Sequence, residues 1–191
     1  QCWRLGERLR ARGLRFEATY SGASRRHLQS FYALAAGLGG LAEPTALTGM
    51  NEYDADAIVQ AMNMQPLPRP DTPELVRQHF RLLKDGLLQW MEGRITPAGM
   101  PSWRDFVGGV ADALDRVRAQ HSVDVLMVSS GGPISTAVAH VLQAPPATMV
   151  ELNLRMRNSA VTEFAFTPKR HALVTFNTLP HLEADGYADR V

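Results

Sequence analysis

The sequence predicts an α/β protein of three layers, helix/sheet/helix, in which the sheet is mostly parallel but mixed. Short apolar segments alternate with amphipathic helical segments over most of the chain, a pattern typical of strands joined by crossover helices. The run Val125–Val128 is apolar without interruption, as in a strand buried on both faces, and a Ser-Ser-Gly-Gly turn follows it directly. The last extended segments follow one another closely, so we expect some antiparallel pairing.

The individual elements follow from the spacing of apolar residues and from the residues that start and stop helices. Helical spacing predicts helices from the start of the chain to about Gly13, and over 24–36, 73–90, 103–117 and 133–142. Short apolar runs predict strands at 14–20, 45–47, 125–128, 149–154, 160–166 and 172–176. Irregular loops are expected at 63–71 and 93–101, where prolines and glycines cluster.

Length and charge restrict the class of protein. A chain of 191 residues suits a single domain with a substantial core, and the helical stretch around 51–101 is expected to be a cap-like insertion within it. The net charge of +1, from 20 Lys+Arg against 19 Asp+Glu, argues against a nucleic-acid-binding face. No apolar run approaches the ~18 residues of a membrane span, so we expect no membrane association.

The single cysteine, Cys2, excludes a disulfide framework and a cysteine-rich metal site. It indicates a reducing compartment, and we expect the protein to be cytoplasmic. The sequence also lacks the zinc motif His-Glu-x-x-His, the pair Cys-x-x-Cys and the Gly-Lys-Ser/Thr of a Walker loop. We therefore expect neither a metal ion nor a cofactor.

The chain begins within an amphipathic helical pattern. Cys2, Leu5 and Leu9 share one face, and Gln1 precedes them without a capping segment. We expect that further residues precede Gln1 in the complete protein.

Two glycine-bearing polar turns lie between a predicted strand and a predicted helix. The first begins at Ser21 and Gly22 and the second contains Ser130 and Gly131. Such turns expose backbone N–H groups at a helix start, where an anion is favoured. Arg26 lies in the first turn of its helix, where a cation opposes the helix dipole, so an anionic ligand would account for it. A salt bridge or a solvated surface arginine is the structural alternative.

Glu52 is a candidate general acid. It follows a short predicted strand, and burial or neighbouring anions would raise the pKa of a carboxyl there. The structural alternative is helix capping, in which Asn51 or Asp54 caps the next helix and Glu52 merely lies beside it.

Taken in order, these segments resemble the histidine phosphatase superfamily, also called the phosphoglycerate mutase-like family. The turn and helix Ser-Gly-Ala-Ser-Arg-Arg-His-Leu-Gln-Ser is similar to the family's Ser-Ser-Pro-Leu-x-Arg-Ala-x-Gln-Thr segment. The turn Ser-Ser-Gly-Gly-Pro-Ile is similar to its Ser-His-Gly-Gly-Val-Ile. Weaker similarities, which extend the resemblance over nearly the whole chain, lie at residues 1–9, 51–54, 158–162 and 177–182.

The resemblance implies a phosphoglycerate mutase-like fold and phosphoryl transfer to a histidine in an Arg-His-Gly motif, without a metal. It implies that Arg26 holds the phosphate with Ser130 and Gly131, and that Glu52 protonates the leaving oxygen. Ser21, Gly22 and His181 are expected to line the same pocket.

The sequence departs from the family pattern at two of the family's histidines, among other positions. No Arg-His-Gly occurs in it, and the nucleophilic histidine is expected upstream of Gln1. Ser130 stands where relatives have a second histidine, and a hydroxyl cannot carry positive charge. The residues around Ser130 in the sequence offer no adjacent base that would make it a nucleophile.

These observations predict a phosphatase that acts on a phosphomonoester through a phosphohistidine. The alternative is a degenerate, catalytically weak relative that binds a phosphorylated ligand or protein. A further alternative is a sugar-phosphate binding protein in which Glu52 has no role. The expected partner is a phosphorylated small molecule or a phosphoprotein, and the strand predicted at 149–154 would allow a homodimer.

Overall fold

The computed structural model describes residues 1–62 and 71–182, so most of the predicted loop at 63–71 lies outside the described residues. Helices and strands alternate in the first part of the chain, and two adjacent strands are the last of the described elements. In chain order the elements are α1 (Cys2–Ala11), β1 (Ala18–Ser21), α2 (Arg25–Leu38), β2 (Thr45–Ala46), a 3-10 turn (Thr48–Met50), α3 (Ala55–Ala61), α4 (Pro73–Met91), α5 (Trp103–Gln120), β3 (Val125–Val128), α6 (Gly131–Val141), α7 (Pro146–Asn153), β4 (Val161–Thr167) and β5 (Arg170–Thr178).

The central sheet is parallel and has the strand order β2-β1-β3. Tyr20 of β1 lies opposite Thr45 on one side and Met127 on the other. Strands β4 and β5 form a separate antiparallel pair, in which Phe164 lies opposite Leu173. The predicted α/β class, with a mostly parallel central sheet flanked by helices, is confirmed.

Helices cover both faces of the parallel sheet because β3 alternates its side chains between them. Leu126 packs with Leu5 and Leu34 of α1 and α2. Val125 and Met127 point the other way and pack with the cluster that includes Val117 of α5. These contacts build the three layers that the sequence predicts.

The segment predicted as a strand at 149–154 is helical instead, because it belongs to α7. Pro146 occupies the first turn of this helix, where the fixed φ of proline favours helix formation. Met149 and Val150 are both fully buried, so the apolar run is a helix in the core. A short apolar run does not distinguish these two cases. The expected homodimer depended on a strand at 149–154, and the structure therefore gives no support for it.

Residues 51–101 contain α3, α4 and the loop that leads to α5. Ile58, Leu87 and Trp90 from this stretch join Phe106 and Met149 in the largest core cluster. That the stretch is a cap-like insertion stays a prediction. Within the described residues, none of the helices is long and apolar enough to cross a membrane.

Candidate functional site

The carboxyl ends of β1 and β3 lie side by side, and the turns that follow them are tied to the turn after β2. Gly22 donates its N–H to the carbonyl of Val128 at 3.0 Å. Ser129 Oγ donates to the carbonyl of Met50 at 2.7 Å, and Ala23 N–H donates to Asn51 Oδ1 at 2.6 Å. Three strand ends thus contribute to one site, as expected for parallel strands in an open α/β sheet.

Glu52 projects from the turn after β2 to the first turn of α6. Its Oε2 accepts the N–H of Gly132 at 3.1 Å, and its Oε1 accepts the N–H of Tyr53 at 3.2 Å. The Nη2 of Arg26 lies 3.9 Å from the same Oε2, so the two side chains form an ion pair without a hydrogen bond. The side chain of Glu52 is 17% exposed, against 62% for Arg26.

Burial raises the pKa of Glu52 above the ordinary glutamate value, although the N–H groups of Gly132 and Tyr53 and the charge of Arg26 oppose the shift. A carboxyl with a raised pKa keeps its proton closer to neutral pH, which suits a general acid. Asp54 caps α3, as the structural alternative has it, because it accepts the N–H groups of Asp56 and Ala57. Glu52 reaches a different helix, α6.

The two glycines after Ser130 allow the side chains of Glu52 and Asn153 to approach the first turn of α6 closely. A Cβ on Gly132 would overlap the carboxylate of Glu52, and a Cβ on Gly131 would lie 2.5 Å from Asn153 Oδ1. Asn153 Nδ2 in turn donates to the hydroxyl of Tyr53 at 2.6 Å. Burial, with the charge of Glu52, raises the pKa of Tyr53 to about 12, so its hydroxyl stays protonated.

Ser130 has a histidine partner that the sequence analysis missed. His27 is 2% exposed, and its Nε2 lies 2.5 Å from Ser130 Oγ. The expectation that Ser130 has no adjacent base is therefore wrong, because the base comes from α2 and not from the neighbouring sequence. Helical spacing places His27 on the buried face of α2 with Phe31 and Leu34, but it does not identify Ser130 as the partner.

The other candidate residues, Ser21, Gly22 and His181, are not among the residues that line the cavity beside this cluster. Ser21 is buried, and its Oγ donates to the carbonyl of Gly22. Gly22 leaves room for the ring of His27, because a Cβ there would collide with the ring at Nδ1. His181 is buried, with its Nε2 2.9 Å from Ser159 Oγ.

A cavity of about 1000 Å³ opens beside the site. Arg26, His27, Glu52, Ser130 and Gly131 line it at one end, and Ser159, the partner of His181, also contributes to its wall. Within the described residues, no group of three or more His, Cys, Asp or Glu side chains is arranged to hold a metal ion.

The geometry can therefore bind an anion and donate a proton to it. A guanidinium, a hydroxyl and a helix N-terminus lie together, and a buried carboxyl with a raised pKa lies beside them. Arg26, Glu52, Ser130 and Gly131, which the sequence selects, are brought together by the structure.

Comparisons with known proteins give one family and one fold. The sequence model described as "Histidine phosphatase superfamily (branch 1)" matches residues 1–179. A search of curated proteins finds no match.

Several solved structures share the fold. Phosphoglycerate mutase from Bacillus anthracis str. Sterne aligns with a TM-score of 0.64 and 14% identity, over 95% of this chain and 80% of that one. Phosphoserine phosphatase from Entamoeba histolytica, in complex with 3-phosphoglyceric acid, aligns with a TM-score of 0.65 and 18% identity, over 95% and 82%. Mycobacterial glucosyl-3-phosphoglycerate phosphatase aligns with a TM-score of 0.59 and 18% identity, over 92% and 83%.

Proposed function

The chain belongs to the histidine phosphatase superfamily, and from this premise we propose that it is a phosphatase-type hydrolase of phosphomonoesters. The observation that carries the proposal is the meeting of Arg26, Glu52 and Ser130 at the carboxyl ends of neighbouring parallel strands. This position combines positive charge with a proton donor, which is what transfer of a phosphoryl group from an ester requires.

Each of these side chains has a role in the proposal. The guanidinium of Arg26 pairs with the phosphate oxygens, and Ser130 and the N–H of Gly131 at the start of α6 add hydrogen bonds. Glu52, in its protonated form, gives its proton to the ester oxygen as the P–O bond breaks. Positioning and charge neutralisation, rather than a metal, provide the catalysis.

The proposal includes a histidine nucleophile outside residues 1–191. It would lie in an Arg-His-Gly segment upstream of Gln1, accept the phosphoryl group on a ring nitrogen and release it to water. The residues described here would then hold the phosphate and protonate the leaving group.

The ligand is proposed to be a phosphorylated small molecule. The 3-phosphoglyceric acid bound to the E. histolytica phosphoserine phosphatase supports this class, because that protein shares the fold. A phosphoprotein ligand stays a prediction.

The second candidate function is binding of a phosphorylated ligand without turnover. Ser130 at the position of the family's second histidine favours it, because a hydroxyl supplies a hydrogen bond but no positive charge. Such a protein would bind phosphate at Arg26 and show no hydrolysis in any form.

The proposal is tested with two esters, p-nitrophenyl phosphate and ethyl phosphate, assayed in the presence of a chelator. Residues 1–191 should hydrolyse neither above background, whereas a version extended with the residues its gene encodes upstream of Gln1 should hydrolyse both. In the extended protein, Glu52→Gln should slow ethyl phosphate hydrolysis by about 100-fold or more, in the range of general acid catalysis. It should affect p-nitrophenyl phosphate far less, because that leaving group needs no proton.

Glu92→Gln, a change at an exposed glutamate, is the matched control. Equal turnover by the short and the extended proteins would argue against the histidine nucleophile. An equal effect of Glu52→Gln on both esters would remove Glu52 from the role of general acid.

A further inference from the structure

The imidazole ring of His27 is buried next to Ser130, at the inner side of the site. His27 lies in the first turn of α2, where its N–H donates to Ser24 Oγ at 3.4 Å. Its ring is almost fully buried, and its Nε2 approaches Ser130 Oγ to 2.5 Å. The ring fits only because residue 22 is glycine, since a Cβ there would overlap Nδ1 and approach Cε1 to 2.6 Å.

Ser130 is bound to this histidine and not to its own helix. It occupies the N-cap position of α6, where a serine side chain commonly accepts a backbone N–H, yet it makes no such hydrogen bond. Its hydroxyl therefore has two partners to satisfy: His27 on the inside and whatever occupies the site on the outside.

The proton on His27 decides what Ser130 offers to a ligand. A hydroxyl has one hydrogen to donate. If Nε2 carries a proton, it donates to Ser130 Oγ, and the serine hydrogen turns outward. If Nε2 is bare, Ser130 donates inward and presents only lone pairs to an anion, which they repel.

We propose that His27 is a positioning residue for phosphate binding: its Nε2–H holds Ser130 so that the serine hydroxyl donates to a phosphate oxygen. The inference rests on the phosphate site proposed above, and it adds to that site a residue that does not touch the ligand. His27 and Ser130 act as one unit, so the loss of either should remove the same hydrogen bond.

The charges around this unit favour the arrangement when an anion is bound. Burial and the neighbouring charge of Arg26 lower the pKa of His27 in the free protein, and a hydrogen bond to the backbone of Gly22 acts in the opposite direction. A bound dianion offsets the charge of Arg26 and favours the protonated ring, which donates at Nε2. Glu52, on the turn after β2, is an acidic side chain that lines the same cavity, and the charge of Arg26 acts on it as well as on His27.

The first test measures binding of inorganic phosphate to the 191-residue protein by calorimetry at pH 7. His27→Leu and Ser130→Ala should each weaken binding by about five- to tenfold, the effect of one hydrogen bond. The double variant should be no weaker than either single variant. His27→Gln should bind within about twofold of the parent, because its amide can still donate to Ser130. His140→Leu, at an exposed histidine on α6, is the matched control.

The second test uses sulfate, which stays dianionic from pH 5.5 to 8. Sulfate affinity of the parent should fall as the pH rises, because the imidazolium is lost. The fall should be smaller in His27→Gln, in which the contribution of His27 is absent and those of the other groups that line the cavity, Glu52 and His171 among them, remain. A purely structural role for His27 would lower affinity equally at every pH.

Two results would overturn the inference alone: additive losses in the double variant, or a His27→Gln profile as steep as that of the parent. If His27→Leu does not fold, the pH profile of His27→Gln still tests the inference. Ser130→Ala introduced into the His27→Gln protein is a second test, because it should weaken phosphate binding there by the same five- to tenfold. A different result would overturn the proposed function and the inference together: no phosphate binding by the parent, or equal binding by Arg26→Ala and its exposed neighbour Arg25→Ala.

Discussion

Glu52 is held between surroundings that favour its neutral form and neighbours that favour its charged form. Burial raises its pKa, while two backbone N–H groups and Arg26 act in the opposite direction. A bound phosphate places negative charge beside the carboxyl and engages Arg26, and both effects raise the pKa further. Ligand binding would therefore favour the protonated form of Glu52, which the reaction needs.

This balance makes stability depend on pH in a defined direction. The pKa of Glu52 is higher in the folded chain than in the unfolded chain, so the folded state binds more protons between the two values. The contribution of Glu52 to stability is thus fully present below the unfolded pKa and is lost as the pH rises through the folded pKa. Glu52→Gln does not titrate, so its free energy of unfolding, relative to the parent, should increase over that interval.

Urea denaturation at a series of pH values from 3.5 upward measures this difference. Glu92→Gln controls for the loss of a surface carboxyl. A difference that stays constant, or that decreases as the pH rises, would contradict the raised pKa.

The sequence predicted the polar residues of the site better than their partners. Arg26, Glu52 and Ser130 each follow a predicted strand, and the carboxyl ends of parallel strands meet at one edge of a sheet. His27 was missed because it lies on the apolar face of α2, where periodicity predicts core. Its contact with Ser130 joins residues 103 positions apart, and local patterns carry no information about such a pair.

Among the elements, the short turn that carries Asn51 and Glu52 depends on contact between two backbones. Gly49, in the 3-10 turn, packs against Gly109 of α5 so closely that a Cβ on Gly49 would overlap the carbonyl of Gly109. The turn cannot move away without shifting Asn51, which holds the loop after β1 through the N–H of Ala23. The close packing of Gly49 against Gly109 thus fixes the position of Glu52 relative to the sheet.

Gly49→Ala should therefore destabilise the protein by about 1–3 kcal/mol, as overpacking against rigid backbone does. Gly108→Ala is a matched control, because a Cβ on Gly108, also in α5, meets nothing within 4 Å. It should stabilise the protein by ~0.4–1 kcal/mol, since alanine restricts the unfolded chain and favours the helix. Thermal and urea denaturation give both values, and equal effects of the two changes would refute the packing argument.

Elements with clear start signals were predicted well, whereas an apolar run alone predicted β3 correctly but predicted a strand at 149–154 wrongly. Ser102 caps α5 through the N–H of Asp105, as the sequence indicates. The run at 149–154 has no alternation that would separate strand from helix, and Pro146 at the helix start and packing in the core cluster make most of it part of α7. The ends of β1 also differ from the prediction, because the strand begins at Ala18 and not at Leu14.

At the scale of the whole molecule, alternation of strands and helices was sufficient to predict the layers. The separation of β4 and β5 from the parallel sheet was not predicted, because it depends on spacing between distant segments. The cavity of about 1000 Å³ lies between the parallel sheet and the β4–β5 pair. Val125–Val128 of β3 line it from the sheet, and Val161 and Phe164 line it from β4. Within the described residues, β3 pairs with β1 on one edge only.

The pairing of β3 on one edge should be visible in the rates at which its backbone amides exchange with solvent. Successive residues of a strand direct their N–H groups to opposite edges, so along β3 every second amide faces β1 and the others face the cavity. Amides that face β1 should exchange with solvent deuterium only when the sheet opens, whereas those that face the cavity should exchange through small fluctuations. Residue-resolved hydrogen exchange by NMR should therefore give alternating slow and fast rates over Val125–Val128, and four equally slow amides would show that this edge of the sheet is closed to water.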